Sequence, residues 1–263
     1  NPPESFDDLV KISQSLQDKT NVKWGYVWQG KQYEGLAAMF VEILEGFGGY
    51  WVNPETLEVG LDKPQTVEAI EFLKSTIPDG ISPPGVTTYQ EEETRQIFQN
   101  GESVFLRNWP YVWPLANKES SPIDGKIAIK PMVHSNSGSS GACLGGWALG
   151  ISKSSKHPEE AWKAIKYFTS EEAQRKFILE AGFVPSRRSL FLDPQIVAKY
   201  PHYPELLKVV DQAVLRPPIA QYAQASDILQ RYLSAALTSR MTPEVAMKNA
   251  ASETRQLLGT MNN

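Results

Sequence analysis

The run Arg107-Asn108-Trp109-Pro110-Tyr111-Val112-Trp113 gathers three aromatic rings beside a guanidinium and a carboxamide. Small polyols, sugars among them, present apolar C–H faces and a polar equator of hydroxyls. Aromatic rings stack on such faces, and planar donors and acceptors bind the equator. Pro110 restricts Trp109 to an extended backbone, which sets its ring at the end of a short strand rather than inside a helix. The competing assignment is ordinary core packing, where most large aromatics reside. Trp113 is expected in the core.

Three further runs share this character. In Gly145-Gly146-Trp147 the glycines allow close backbone approach to a ligand, with an indole beside it. A glycine-relieved strand start with Trp147 buried fits the same residues. The run from Trp28 to Gly35 collects polar and aromatic groups, Tyr33 and Glu34 among them, at a strand-to-helix junction. Ligands of α/β proteins often sit at such junctions, although Glu34 also suits the positive end of the helix dipole. Arg216-Pro217-Pro218 stiffens a loop around an Arg. Its fork can donate to two adjacent hydroxyls, or pair with a surface carboxylate.

Other chemistries find less support. His134, His157 and His202 lack metal-ligand spacing, and a single Cys143 leaves neither an intramolecular disulfide nor a cysteine-rich metal site. The run Gly138-Ser139-Ser140-Gly141 is not a nucleophile elbow, and the glycines from 141 to 150 match neither a phosphate loop nor a dinucleotide fingerprint. Glu91-Glu92-Glu93 reads as a solvated helix start. No cofactor is expected.

With 263 residues, 41% hydrophobic and 21% charged, the chain has apolar mass for one large or two modest domains. A net charge of −4 without dense Lys/Arg blocks argues against a nucleic-acid surface. Apolar stretches such as Leu36–Phe40 are too short to span a bilayer.

The elements that would position these residues follow from periodicity and caps. Ser5 caps a helix to about Lys19, with Asp7 and Asp8 in its first turn. Further helices are expected over Tyr33–Phe47, from Pro64 to about Ile77, and over Glu91–Asn100, His157–Thr169, Glu171–Ala181, Asp193–Tyr200, Glu205–Val214, Ser226–Thr238 and Pro243–Leu258. Strands are expected at Lys23–Trp28, Tyr50–Val52, Leu57–Gly60, Ser103–Leu106, Ile127–Ile129 and Trp147–Ile151, and a flexible linker at 135–141. Interleaved strands and helices give an α/β class.

In their order and spacing, Trp28–Gly35, Gly48-Gly49, Arg107–Trp113, Gly145–Trp147, Pro185 and Arg216-Pro217 resemble the extracellular sugar-binding proteins of ABC importers, the maltose/trehalose-binding-protein-like family. The resemblance covers nearly the whole chain. It implies a type II periplasmic-binding-protein-like fold, helix-rich and mostly the C-terminal lobe. Residues 1–141 and 190–263 would form that lobe, and 142–189 would belong to an N-terminal lobe whose remainder lies outside the sequence. It implies capture of a small carbohydrate, a di- or oligosaccharide such as maltose or trehalose or a related glucoside, with no catalysis. The alternatives are a carbohydrate-active hydrolase domain and a truncated, non-binding lobe. By the same resemblance Trp109 and Tyr111 stack on or bind the sugar, Trp147 is a third platform, Gly145 gives a backbone contact, Arg216 binds hydroxyls, Tyr33 is a further aromatic contact and Glu34 its neighbour. The implied setting is periplasmic or extracytoplasmic at the membrane, as a monomer that delivers sugar to ABC permease subunits.

Overall fold

The computed structural model describes residues 1–259. In chain order its helices and strands are α1 (Phe6–Lys19), β1 (Trp24–Val27), α2 (Glu34–Gly46), α3 (Pro64–Ser75), α4 (Glu91–Gln99), β2 (Ser103–Leu106), α5 (Val112–Ala116), α6 (Pro158–Phe168), α7 (Glu171–Ala181), α8 (Pro194–Lys199), α9 (Tyr203–Asp211), α10 (Tyr222–Leu237) and α11 (Pro243–Leu258). They form two compact units. The first comprises Asn1–Trp109, Pro131–Cys143 and the chain from Gln212 on. The second comprises Pro110–Lys130 and Leu144–Asp211.

The first unit is built on α2. This helix is buried almost all round, with Leu36, Met39, Phe40, Ile43 and Leu44 essentially inaccessible, as a central helix must be. The strands β1 and β2 pair in parallel, Trp24 opposite Ser103 and Tyr26 opposite Phe105. A parallel pair requires a long crossover, and here α2, α3 and α4 supply it. The helix α1 starts from a reciprocal cap. Ser5 Oγ accepts from the Asp8 amide at 3.1 Å, and the Asp8 carboxylate accepts from the Ser5 amide at 3.2 Å. It crosses β1 so closely that a Cβ on Gly25 would lie 2.3 Å from Ser13 Cβ. The helices α10 and α11 close the core with Leu229, Leu233, Ala236, Met247 and Ala250.

Two expectations in this unit are corrected. The paired strands around Asn53-Pro54 reduce to one bridge between Val52 and Val59. Asn53 Oδ1 accepts the Glu55 and Thr56 amides instead, so the short segment is consumed by its turn. The Ser/Gly run at 135–141 is not a free linker. Ser135 donates its amide to Gly46 O at 2.7 Å, and Ser139 Oγ donates to Glu45 Oε1 at 2.6 Å. A Cβ on Gly138 would lie 2.2 Å from Gly46 O, so the glycine permits this approach to the end of α2.

The second unit has a smaller core of Ile178, Leu190, Phe191, Ile196, Tyr200, Tyr203 and Leu206, with Trp113 packed against it. No residue of α6 is buried, and Trp162, Tyr167, Phe168, Phe177 and Phe183 are exposed. The strands expected at Ile127–Ile129 and Trp147–Ile151 are irregular backbone. A strand exists only where a neighbour completes its ladder, and no described segment of this unit provides one. Residues 110–130 and 190–211 group with 144–189 in this unit.

Among the described residues, no helix is long and apolar enough to cross a membrane, and no group of His, Cys, Asp and Glu could hold a metal ion.

Candidate functional site

In the first unit the N-terminus of α2 carries two of the predicted residues. Tyr33 is its N-cap and folds its ring back over the first turn. A Cβ on Gly35 would fall 2.1 Å from Tyr33 Cζ and Oη, so only glycine admits this pose. The Tyr33 hydroxyl is buried. Burial, and then the nearby Glu91 carboxylate, push its pKa well above the usual tyrosine range. Glu34, the first residue of α2, is the hub of a polar cluster. Arg216 Nη1 donates to Glu34 Oε1 at 2.5 Å, Tyr222 donates to the same oxygen, and Ser226 Oγ donates to Oε2 at 2.5 Å. Arg216 also lies over the Tyr222 ring, 5.6 Å from its centroid. Burial, and then Glu34, raise the Tyr222 pKa.

The end of β2 carries the third. Arg107 is buried and forms a bidentate pair with Glu42 of α2, Nε to Oε2 at 2.7 Å and Nη2 to Oε1 at 2.6 Å. Its Nη1 donates to Gln29 Oε1 at 3.0 Å, and Gln29 Nε2 returns a bond to Arg107 O at 3.0 Å. Glu42 Oε1 also accepts the Cys143 amide at 2.9 Å. Burial, with Glu42 next, pushes the Cys143 thiol up to about 11, so it stays protonated at neutral pH. Trp109 lies on Arg107, whose Cζ is 4.5 Å from the ring centroid. The indole Nε1–H donates to Glu91 Oε1 at 3.2 Å.

In the second unit Tyr111 precedes α5 and is partly exposed. Gly145 and Trp147 lie on irregular, exposed backbone, and Trp147 is fully solvent-accessible at 103%. Trp113 is core, as expected. It stacks on His202 with centroids 3.9 Å apart and rings 28° from parallel. Burial holds the His202 pKa down to about 4.

Residues 1–175 match the bacterial extracellular solute-binding proteins. The chain belongs to this family. As a solute-binding protein it is 33% identical to a probable ABC transporter-binding protein of Deinococcus radiodurans, over 98% of this chain and 63% of that protein. Maltose-bound T. maritima MalE3 is 42% identical with a TM-score of 0.92, and an ABC transporter solute-binding protein from Thermotoga lettingae TMO bound with α-D-tagatose is 28% identical with a TM-score of 0.88. Each match covers 98% of this chain and 66% of the other. The chain thus spans just under two thirds of the length of these relatives. Its fold is that of the type II periplasmic binding proteins, helix-rich and α/β.

In this solute-binding protein the first unit holds these residues in two polar clusters, Trp109 with Arg107 and Glu91 and Glu34 with Arg216, Tyr222 and Ser226, while the Tyr33 hydroxyl lies near Glu91. Tyr111, Gly145 and Trp147 stand in the other unit. Sequence reasoning missed Glu42, Gln29, Tyr222 and the individual role of Glu91. The three consecutive acids are not one solvated face. Glu93 accepts the Gln90 amide at 2.9 Å, Glu92 accepts from Arg95, and Glu91 meets Trp109. The available signal for Glu42 was a charge within the apolar stretch of α2, whose other acids, Glu34 and Glu45, stand near its ends; a charge so placed demands a buried partner.

Proposed function

We propose that this chain supplies the aromatic and polar wall of a carbohydrate site in the solute-binding protein of an ABC importer. The observation that carries the reading is that the first unit holds both an indole backed on one face by a guanidinium, Trp109, and a polar cluster of Glu34, Arg216 and Tyr222. That combination matches the apolar faces and polar equator of a sugar, and family membership supports it. The carboxylates are engaged by donors rather than poised as an acid and base pair: Glu42 by Arg107, Glu34 by Arg216 and Glu91 by Trp109. This favours binding without catalysis.

On this reading residues 1–141 and 190–263 make the C-terminal lobe and 142–189 joins an N-terminal lobe, and Tyr111, Gly145 and Trp147 are proposed as further sugar contacts. The protein works outside the cytoplasm as a monomer and hands its sugar to permease subunits. Maltose, trehalose and related glucosides are the first ligands to test, since neighbours hold both a disaccharide and a ketohexose. The test is a thermal-shift screen of a protein of full family length carrying this chain, against mono- and disaccharides, followed by calorimetry. A sugar that binds the native state raises the unfolding temperature. No shift with any sugar, or release of reducing sugar from a bound disaccharide, sinks the reading.

A further inference from the structure

Trp109 is held from two sides. Its backbone amide donates to Asn108 Oδ1 at 2.7 Å, and Asn108 Nδ2 donates to Glu91 O at 2.9 Å. Its indole N–H donates to the Glu91 carboxylate at 3.2 Å. Both the backbone and the ring are therefore tied to the first residue of α4. Beneath the ring, Arg107 is fixed by Glu42 and Gln29 and has 2% of its side chain exposed. That guanidinium occupies one π face of the indole and cannot turn away without breaking a buried ion pair.

We propose that Glu91 is a positioning residue that holds Trp109 as a one-faced stacking platform, with Arg107 closing the opposite face. The proposal rests on the sugar-binding reading above. When a ligand covers the ring, its N–H loses water, and an unpaired buried donor is costly. Glu91 supplies a carboxylate acceptor before the ligand arrives. Its negative charge also offsets the pull of Arg107 on the ring electrons, which keeps the open face attractive to C–H groups. The helix itself does not depend on Glu91, because the cap is made by Gln90 and Glu93.

The test uses Glu91→Ala, Glu91→Gln and Trp109→Ala, with Trp109→Phe to assign the indole resonance. The first readout is solvent exchange of the Trp109 indole proton by NMR. Glu91→Ala is expected to speed it about ten-fold or more through loss of the acceptor, and Glu91→Gln to restore most of the protection. The second is maltose affinity by calorimetry, with tagatose as a second probe. Glu91→Ala is expected to weaken it about ten-fold in the Trp109 protein and to change nothing in the Trp109→Ala background, while Glu91→Gln stays within about three-fold of the parent. Additive losses, or full affinity in Glu91→Ala alongside a loss in Trp109→Ala, overturn the proposal. If the unsubstituted protein binds no sugar of the full screen, the sugar reading fails by itself, and indole exchange alone decides whether Glu91 fixes Trp109. Unchanged exchange in Glu91→Ala overturns the proposal whatever the sugar result.

Discussion

Trp109 joins the buried ion pair of the first unit to the surface that would receive a ligand. Its ring gains from Arg107 below and Glu91 at its edge, so little ordering is left for binding to supply. In a protein of full family length, Trp109→Ala is expected to weaken sugar binding by about 1–3 kcal/mol, the range for a desolvated stacking aromatic. Trp147→Ala is expected to fall in the same range. Unchanged calorimetric affinity in both variants would remove the aromatic wall. Gly35 gives a second test at this scale. Its substitution by Ala drives a methyl into the Tyr33 ring while favouring the helix, so the ring must swing away. Gly35→Ala is expected to leave the unfolding temperature near that of the parent, to weaken sugar binding, and to return the Tyr33 titration toward the ordinary tyrosine range. An elevated Tyr33 titration in that variant would show that the ring stays in place.

The helix α2, the strand β2 and the segment ending at Cys143 meet on one ion pair. Glu42 takes both nitrogens of Arg107 and the Cys143 amide. The bridge between Cys143 and Val214 then brings in the segment that leads to Arg216. Glu42→Ala strands a buried guanidinium and is expected to cost about 3–5 kcal/mol in denaturant unfolding. Replacing Glu42 and Arg107 together with Met is expected to recover most of that loss, because the desolvation penalty goes with the charges. Equal losses in the single and double variants would contradict this. The same elements mark the limits of what the sequence discloses. Ser5, Asp7 and Asp8 announce α1 because capping is local, and β2 is found over Ser103–Leu106 as expected. The pairing of Glu42 with Arg107 spans 65 residues and leaves only an acid within an apolar stretch as a trace. At Trp147–Ile151 the apolar run is visible, but strand formation depends on a neighbour that the run cannot specify.

At the scale of the whole molecule, two units of unequal core share one chain, and the smaller one carries the titratable weak point. His202 is 8% exposed, stacks on Trp113, touches Tyr200 and Tyr203 edge-on, and has a buried Nδ1 with no partner. Burial lowers its pKa from the usual 6.5 to about 4. Between those values the unfolded chain binds a proton that the folded unit refuses, so stability rises with pH. The contribution is complete above about pH 6.5 and is lost as pH falls toward about 4. Carboxylates of the same unit that are held below their ordinary values, Asp193 beside Arg175 and Glu205 beside Lys208, lose their contribution only as pH falls below about 4.5, which leaves the upper part of this window to the histidine. Thermal unfolding followed by near-ultraviolet circular dichroism is expected to show a falling midpoint for the second unit from pH 7 to pH 4.5. His202→Phe keeps a ring against Trp113 but cannot take a proton, so its midpoint is expected to stay flat across the same range. A pH dependence that survives in His202→Phe would assign the effect to another group.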